Sequence, residues 1–207
     1  MGQKERRQRE RQQRRNQILN AARELLLKEG FANTSVNRIS KKAELSIGSI
    51  YFYFKNKEEI FASLQTEGLE ILRRHVLEHI RDAEDPVAGL KKTAEAYLRF
   101  SEENKDYFDV INYFLSSPRV FFSENVKRRI DSKGAMILEY IADMIRQGAS
   151  RGLFKEERPG SLAVFFWISL HGLIQVRKLQ GMTTEHEDFE SFYRYSAEKL
   201  IDSIRSS

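Results

Sequence analysis

The chain contains no cysteine. That excludes a disulfide scaffold, thiolate metal sites and cysteine nucleophiles, and it fits a reducing compartment. Only 3 of its 207 residues are proline and 11 are glycine, too few for an all-β fold built on many tight turns. Four histidines leave little material for a metal enzyme. No apolar run approaches the roughly 18 residues of a membrane span. No apolar segment follows the basic amino terminus, so a cytoplasmic protein with no membrane partner is expected. There is no nucleophile elbow, no phosphate-cradling glycine loop and no paired-carboxylate signature. Catalysis, a cofactor and a resident metal are therefore not expected.

What is present is 41% apolar and 31% charged residues, the balance of a soluble protein with a real core. The charge is segregated. Residues 1–60 hold 14 Lys and Arg against 7 Asp and Glu, whereas residues 61–207 hold 21 against 23. A cationic head on a nearly neutral body is the footprint of a polyanion-binding module joined to something else. Residues 3–15 contain only Gln, Lys, Arg and Glu. With no apolar residue between Gly2 and Ile18 they form a basic arm, and arginines on such arms favour a narrow minor groove.

The remainder reads as helix, about nine in all. Ile18, Ala22, Leu25 and Leu26 mark one apolar face, and Gly30 ends that helix. Val36, Ile39 and Ala43 mark a short second helix capped by Thr34 or Ser35. Ser46 caps a third, running to about Phe54. Asn56 and Glu59 have capping-box spacing and open a fourth, which continues to about Arg81. Asp85–Pro86 opens a helix over about 87–103, followed by one over 105–116 and a break at Ser117–Pro118. Ser123 opens a long helix ending near Gly152. Pro159 opens a helix over 160–179 closed by Gly181, and Thr184 with Glu187 starts the last, to about Ile204.

The stretch 35–54 has helix-turn-helix proportions: two short helices, a tight turn at 43–45, and a small residue, Ala43, at their crossing. Val36, Ile39, Leu45 and Ile50 are spaced to lock the angle. The second of these helices leaves Ile47, Gly48, Ser49, Tyr51, Phe52 and Tyr53 outside. Small residues admit a helix backbone to base edges in the major groove, and Tyr hydroxyls with Lys55 and Lys57 are within reach of phosphates. Exposed aromatics are costly without a partner.

The residues Ile18-Leu19, Ala21-Ala22, Glu24-Leu25, Gly30-Phe31, Thr34-Ser35-Val36, Ile39, Ala43, Leu45-Ser46, Gly48-Ser49-Ile50-Tyr51, Tyr53-Phe54, Lys57-Glu58 and Ile60 resemble the DNA-binding domain of the TetR family of bacterial transcriptional regulators. One departure is Glu44, where the family usually has Gly in the turn. The resemblance implies an all-α protein: a basic arm (1–15), a three-helix DNA-binding domain (16–57), and a long helix leading into a helical effector-binding and dimerisation bundle (58–207). It implies that Ser46, Gly48, Ser49, Tyr51 and Tyr53 lie at the major groove, and that Ile47 and Phe52 set operator choice. Thr34 or Ser35 would contact phosphate, as would Lys57; Arg14 and Arg15 join the interface from the arm. The implied partners are a palindromic double-stranded operator, a second copy of the chain and a small-molecule effector. A DNA-binding factor whose body holds a protein partner is the alternative.

In the body, 17 of the 23 aromatics follow residue 96. They serve either as core or as the lining of an apolar cavity, and the resemblance favours the cavity. Tyr97, Phe100, Phe108, Tyr113, Phe166, Trp167 and His171 are its candidate lining. No buried countercharge is evident, so a neutral or amphipathic ligand is expected. Leu162, Phe166, Leu170 and Leu173, with Phe189, Phe192, Leu200 and Ile204, are the candidate dimer faces of the last two helices. His75 and His79, at i and i+4, have chelating spacing but no evident distant ligand.

Overall fold

A computed structural model gives the fold and describes residues 2–117, 119–155, 158–177 and 188–206. Among these residues there are nine helices: α1 (Gln3–Asn33), α2 (Val36–Lys42), α3 (Ile47–Tyr53), α4 (Lys57–Ile80), α5 (Pro86–Glu103), α6 (Lys105–Leu115), α7 (Glu124–Ser150), α8 (Pro159–Gln175) and α9 (Phe189–Asp202). The expected Gly181 stop and the Thr184/Glu187 cap lie outside the described residues, as does Pro118.

The caps explain most boundaries. Ser35, not Thr34, caps α2 by accepting from the Arg38 N–H. Ser46 caps α3, accepting from Ser49. Asn56 Oδ1 accepts from Glu59 N at 2.8 Å, and Glu59 reaches back to Lys55 N. Asp85 accepts from Ala88 N, with Pro86 in the first turn of α5.

One boundary differs from expectation. The basic segment expected as an arm ahead of the first helix forms the first turns of α1, which begins at Gln3. Gln, Lys, Arg and Glu are all strong helix formers. Pairs one turn apart support them, Arg6 with Glu10 at 3.0 Å and Gln12 with Asn16 at 2.8 Å.

The chain divides into two compact units, and the division does not follow sequence order. The first comprises residues 1–69 with 106–131; the second, 70–105 with 132–207. The core of the first unit joins Ile18, Ala22, Leu26, Ile39, Ile50, Phe54, Ile60, Phe61 and Leu64 to Val110 and Phe114 of α6. In the second unit α5 packs on α8 and α9, burying Tyr97, Phe100, Phe166, Leu170, Tyr193 and Ile201. Phe166 and Leu170 are thus core, which removes them from the expected dimer face. The exposed apolar side chains of α8 are Val164, Phe165 and Ile168. No described helix is long and apolar enough to cross a membrane.

Candidate nucleic-acid interface

The turn between α2 and α3 is a two-bond closure. Glu44 N donates to Lys41 O at 3.2 Å and Leu45 N to Ser40 O at 2.9 Å, the pattern of a Schellman motif. That motif needs a left-handed residue, and Glu44 supplies it at φ 54°. The departure from glycine leaves the geometry intact at the expense of a Cβ in a region L-residues avoid. Ile39, Ala43 and Ile50 are buried beneath the turn, with Val36, Leu45 and Tyr53 packed against them.

These contacts fix which side of α3 faces out. Ile47 and Tyr51 are exposed, and Phe52 is 72% exposed. Phe52 meets Tyr53 edge to face at 5.1 Å. Ser46 Oγ and Ser49 Oγ are 2.9 Å apart at the amino end of α3. Among the described residues, a Cβ placed on Gly48 would meet nothing nearer than Ser46 Oγ at 3.9 Å. The packing of the chain therefore does not require glycine there, and the bare backbone is open to whatever approaches from outside.

The flanking residues divide. Ser35 is exposed. Thr34 is buried, and its Oγ1 donates to Gly30 O at 2.9 Å, so its hydroxyl is not presented to a phosphate. Lys57 Nζ donates to Phe31 O at 2.8 Å and Thr34 O at 2.9 Å and lies 4.0 Å above the Phe31 ring. Two of its three N–H bonds close the end of α1, which leaves one for an anion. Burial lowers its pKa from the usual lysine value. Arg14 is exposed and donates to Gln17. Arg15 is tied inward, donating to Ser63 Oγ at 2.9 Å with its guanidinium 4.5 Å above the Phe54 ring.

The expected effector residues fall into both units. Tyr97, Phe100, Phe166, Trp167 and His171 belong to the second. Tyr97 is buried, its ring 4.2 Å from Trp167 and its hydroxyl 2.7 Å from His171 Nδ1. Burial raises the Tyr97 pKa and lowers that of His171. Phe108 and Tyr113 lie in the first unit instead. Tyr113 Oη accepts from Phe31 N at 2.8 Å, so it serves the head. Sequence reading missed this because the pair is 82 positions apart, beyond the reach of any periodicity. The rings of His75 and His79 are 4.5 Å apart. His79 Nδ1 donates to His75 O at 2.8 Å, so that nitrogen serves the helix backbone rather than a chelate.

A short serine-capped helix, held at a fixed angle by a second short helix and presenting an uncharged outer face, defines a helix-turn-helix protein. Residues 18–64 match the family described as bacterial regulatory proteins, tetR family. The match covers the helix-turn-helix head, and the fold of the chain agrees over nearly its whole length with that of solved regulators of the same description. It is 38% identical over 66 residues to the fatty acid metabolism regulator protein of Bacillus subtilis (strain 168), covering 32% of this chain and 34% of that one. The chain spans about a third to a half of the length of the curated relatives it matches. A TetR family transcription regulator from Marinobacter aquaeolei VT8 superposes with a TM-score of 0.74 at 22% identity, over 97% of this chain and 100% of that one. The fatty acid degradation regulator FadR from Bacillus halodurans gives 0.74 at 18% identity, over 94% and 97%.

Proposed function

We propose that the protein is a transcriptional regulator that grips a palindromic duplex operator as a homodimer and is released by a small molecule. Its α3 enters the major groove, with Ser46, Gly48, Ser49, Tyr51 and Tyr53 at the groove and Ile47 and Phe52 adjusting the sequence read. Ser35 and the third proton of Lys57 hold phosphate. The observation that carries this reading is the outer face of α3, where an exposed Phe52 and Tyr51 stand beside a Gly48 that the fold itself does not require. A two-fold protein with one such helix per subunit reads two symmetric half-sites.

The effector is expected in the second unit, near the Tyr97–His171–Trp167 group, and is apolar or amphipathic. The similarity to a fatty acid metabolism regulator is consistent with that class. Release follows if the ligand prefers a dimer state whose heads do not fit the operator spacing. On this reading the protein acts in the cytoplasm, by binding rather than catalysis.

The test is selection of bound duplexes from a randomised pool, with the unsubstituted chain and with substitutions at Ile47 and Ser49. A palindromic consensus that shifts with those substitutions is expected. A consensus that stays the same across several of them would remove α3 as the reading element.

A further inference from the structure

The basic segment enters α1 in a particular helical register. At 3.6 residues per turn, Lys4, Arg7, Arg11 and Arg14 fall within an arc of about 80°. Ile18, Ala22 and Leu25, which are buried in the head, fall on that same arc. The stripe that faces the core at residue 18 thus continues toward the amino terminus as a stripe of cations. Glu5, Arg6 and Arg9 lie on the other side, and Arg6 is paired with Glu10 at the flank of the stripe. Among the described residues Lys4, Arg7 and Arg11 have no ion-pair partner, and all three are exposed.

The core-facing side of α1 is the side on which α2 and α3 lie. Gln17 Nε2 donates to Ala43 O at the end of α2, and Arg15 covers Phe54 at the end of α3. Residues 3–14 extend beyond those anchors by roughly 18 Å at 1.5 Å per residue. Their cationic stripe therefore overhangs toward whatever α3 rests on. A helix is about 10–12 Å across, and the minor groove is only about 6 Å wide. As a helix the segment does not fit the minor groove, the placement that suits an extended arm.

We propose that the first turns of α1 form a rigid, one-sided clamp, with Lys4, Arg7, Arg11 and Arg14 laid along the phosphate backbone of duplex DNA beside the segment that α3 occupies. This rests on the DNA-binding reading above. The clamp adds affinity without sequence preference, and its mark is salt dependence, about 0.9 in slope per phosphate neutralised.

The experiment compares two variants that each remove two charges, Arg7→Gln/Arg11→Gln on the stripe and Arg6→Gln/Arg9→Gln opposite it. Glutamine preserves helix propensity, and circular dichroism checks that helicity is kept. Affinity for a labelled mixed-sequence duplex of about 40 base pairs is followed against salt. The stripe variant is expected to flatten the slope of log affinity against log salt by about 4 per dimer, and the opposite-face variant by less than half as much. Equal flattening in both would describe a flexible tail and overturn the clamp. An unaltered slope in the stripe variant, with binding retained, overturns the clamp alone. A preference of the unsubstituted chain for A-tract duplex that the stripe variant loses would place the segment in the minor groove, again against the proposal. No binding by the unsubstituted chain even at low salt overturns the DNA-binding reading and the clamp with it.

Discussion

Tyr113 Oη accepts a hydrogen bond from the Phe31 backbone N–H at 2.8 Å, at the point where Gly30 breaks α1 with φ 80°. A Cβ on Gly30 would lie 3.1 Å from that hydroxyl oxygen. Phe31 in turn sits among Phe61, Phe114 and Phe121, with ring centroids 5.1 to 6.2 Å away. Helix α6 thus props the bend that delivers Ser35 and α2. Tyr113→Phe keeps the ring and strands the Phe31 donor, so a loss of about 1–3 kcal/mol in urea unfolding is expected. Gly30→Ala should cost at least as much, since it adds left-handed strain to the crowding. Unchanged unfolding midpoints in both would mean that the bend is held by the aromatic cluster alone.

Lys57 has a structural duty as well as a proposed phosphate contact. Its ammonium closes two carbonyls of the bend, at Phe31 and Thr34. Lys57→Met should lower both the thermal midpoint and the DNA affinity. Lys57→Arg should recover part of the affinity but less of the stability, because the planar guanidinium does not reproduce a compact ammonium over the Phe31 ring. A residue serving only phosphate would show the affinity loss with an unmoved midpoint.

Local signals were legible in the chain and long-range ones were not. Ser46, Asp85–Pro86 and the Asn56/Glu59 pair mark helix starts because a cap is satisfied within three residues. The left-handed residue of the α2–α3 turn was legible only through the family resemblance, which has Gly where this chain carries Glu44. The helical state of residues 3–15 escaped a reading based on apolar periodicity, because a segment without apolar residues has none to show. The placement of α6 in the first unit escaped for a different reason. Its periodicity gives an apolar face but not the partner of that face, which the packing of Val110 and Phe114 against the head decides. The outward face of α8 was misassigned because a helix apolar on all sides has no phase to read.

Two imidazoles give the second unit a pH dependence. Burial lowers the pKa of His171 from 6.5, and burial together with the nearby His79 does the same for His75. The unfolded chain therefore takes up these protons at a higher pH than the folded one. Stability is then independent of these groups above the unfolded value and falls as the pH drops through 6.5 toward the lowered folded values. Urea midpoints at about pH 7.5 and about pH 5.5 should show the decline, and His75→Asn should reduce it. A midpoint that rises on acidification would reverse the sign and with it the assignment.

Helix α8 carries no Asp, Glu, Lys or Arg over its length. One face, with Ala163, Phe166, Leu170 and Ile174, is buried within the second unit. The other presents Val164 beside Phe165 and Ile168, which are 56% and 61% exposed. A helix apolar all round is stable in water only when both faces are covered. A second copy of the chain, related by a two-fold axis so that the same face meets itself, would cover it most economically. Gly172 lies on the exposed side, and a Cβ there would meet nothing within 4 Å. Glycine inside a helix costs about 1 kcal/mol against alanine, and no neighbour among the described residues accounts for that cost. Close approach of a partner helix would. Ile168→Glu should yield a monomer in sedimentation at micromolar concentration, with the helical circular dichroism of the parent. Its DNA affinity should fall steeply, since each head then binds alone and the gain from simultaneous engagement is lost. Gly172→Leu should weaken the dimer without unfolding the subunit. Ile168→Glu remaining dimeric would move the interface off α8, and Gly172 would then need another explanation.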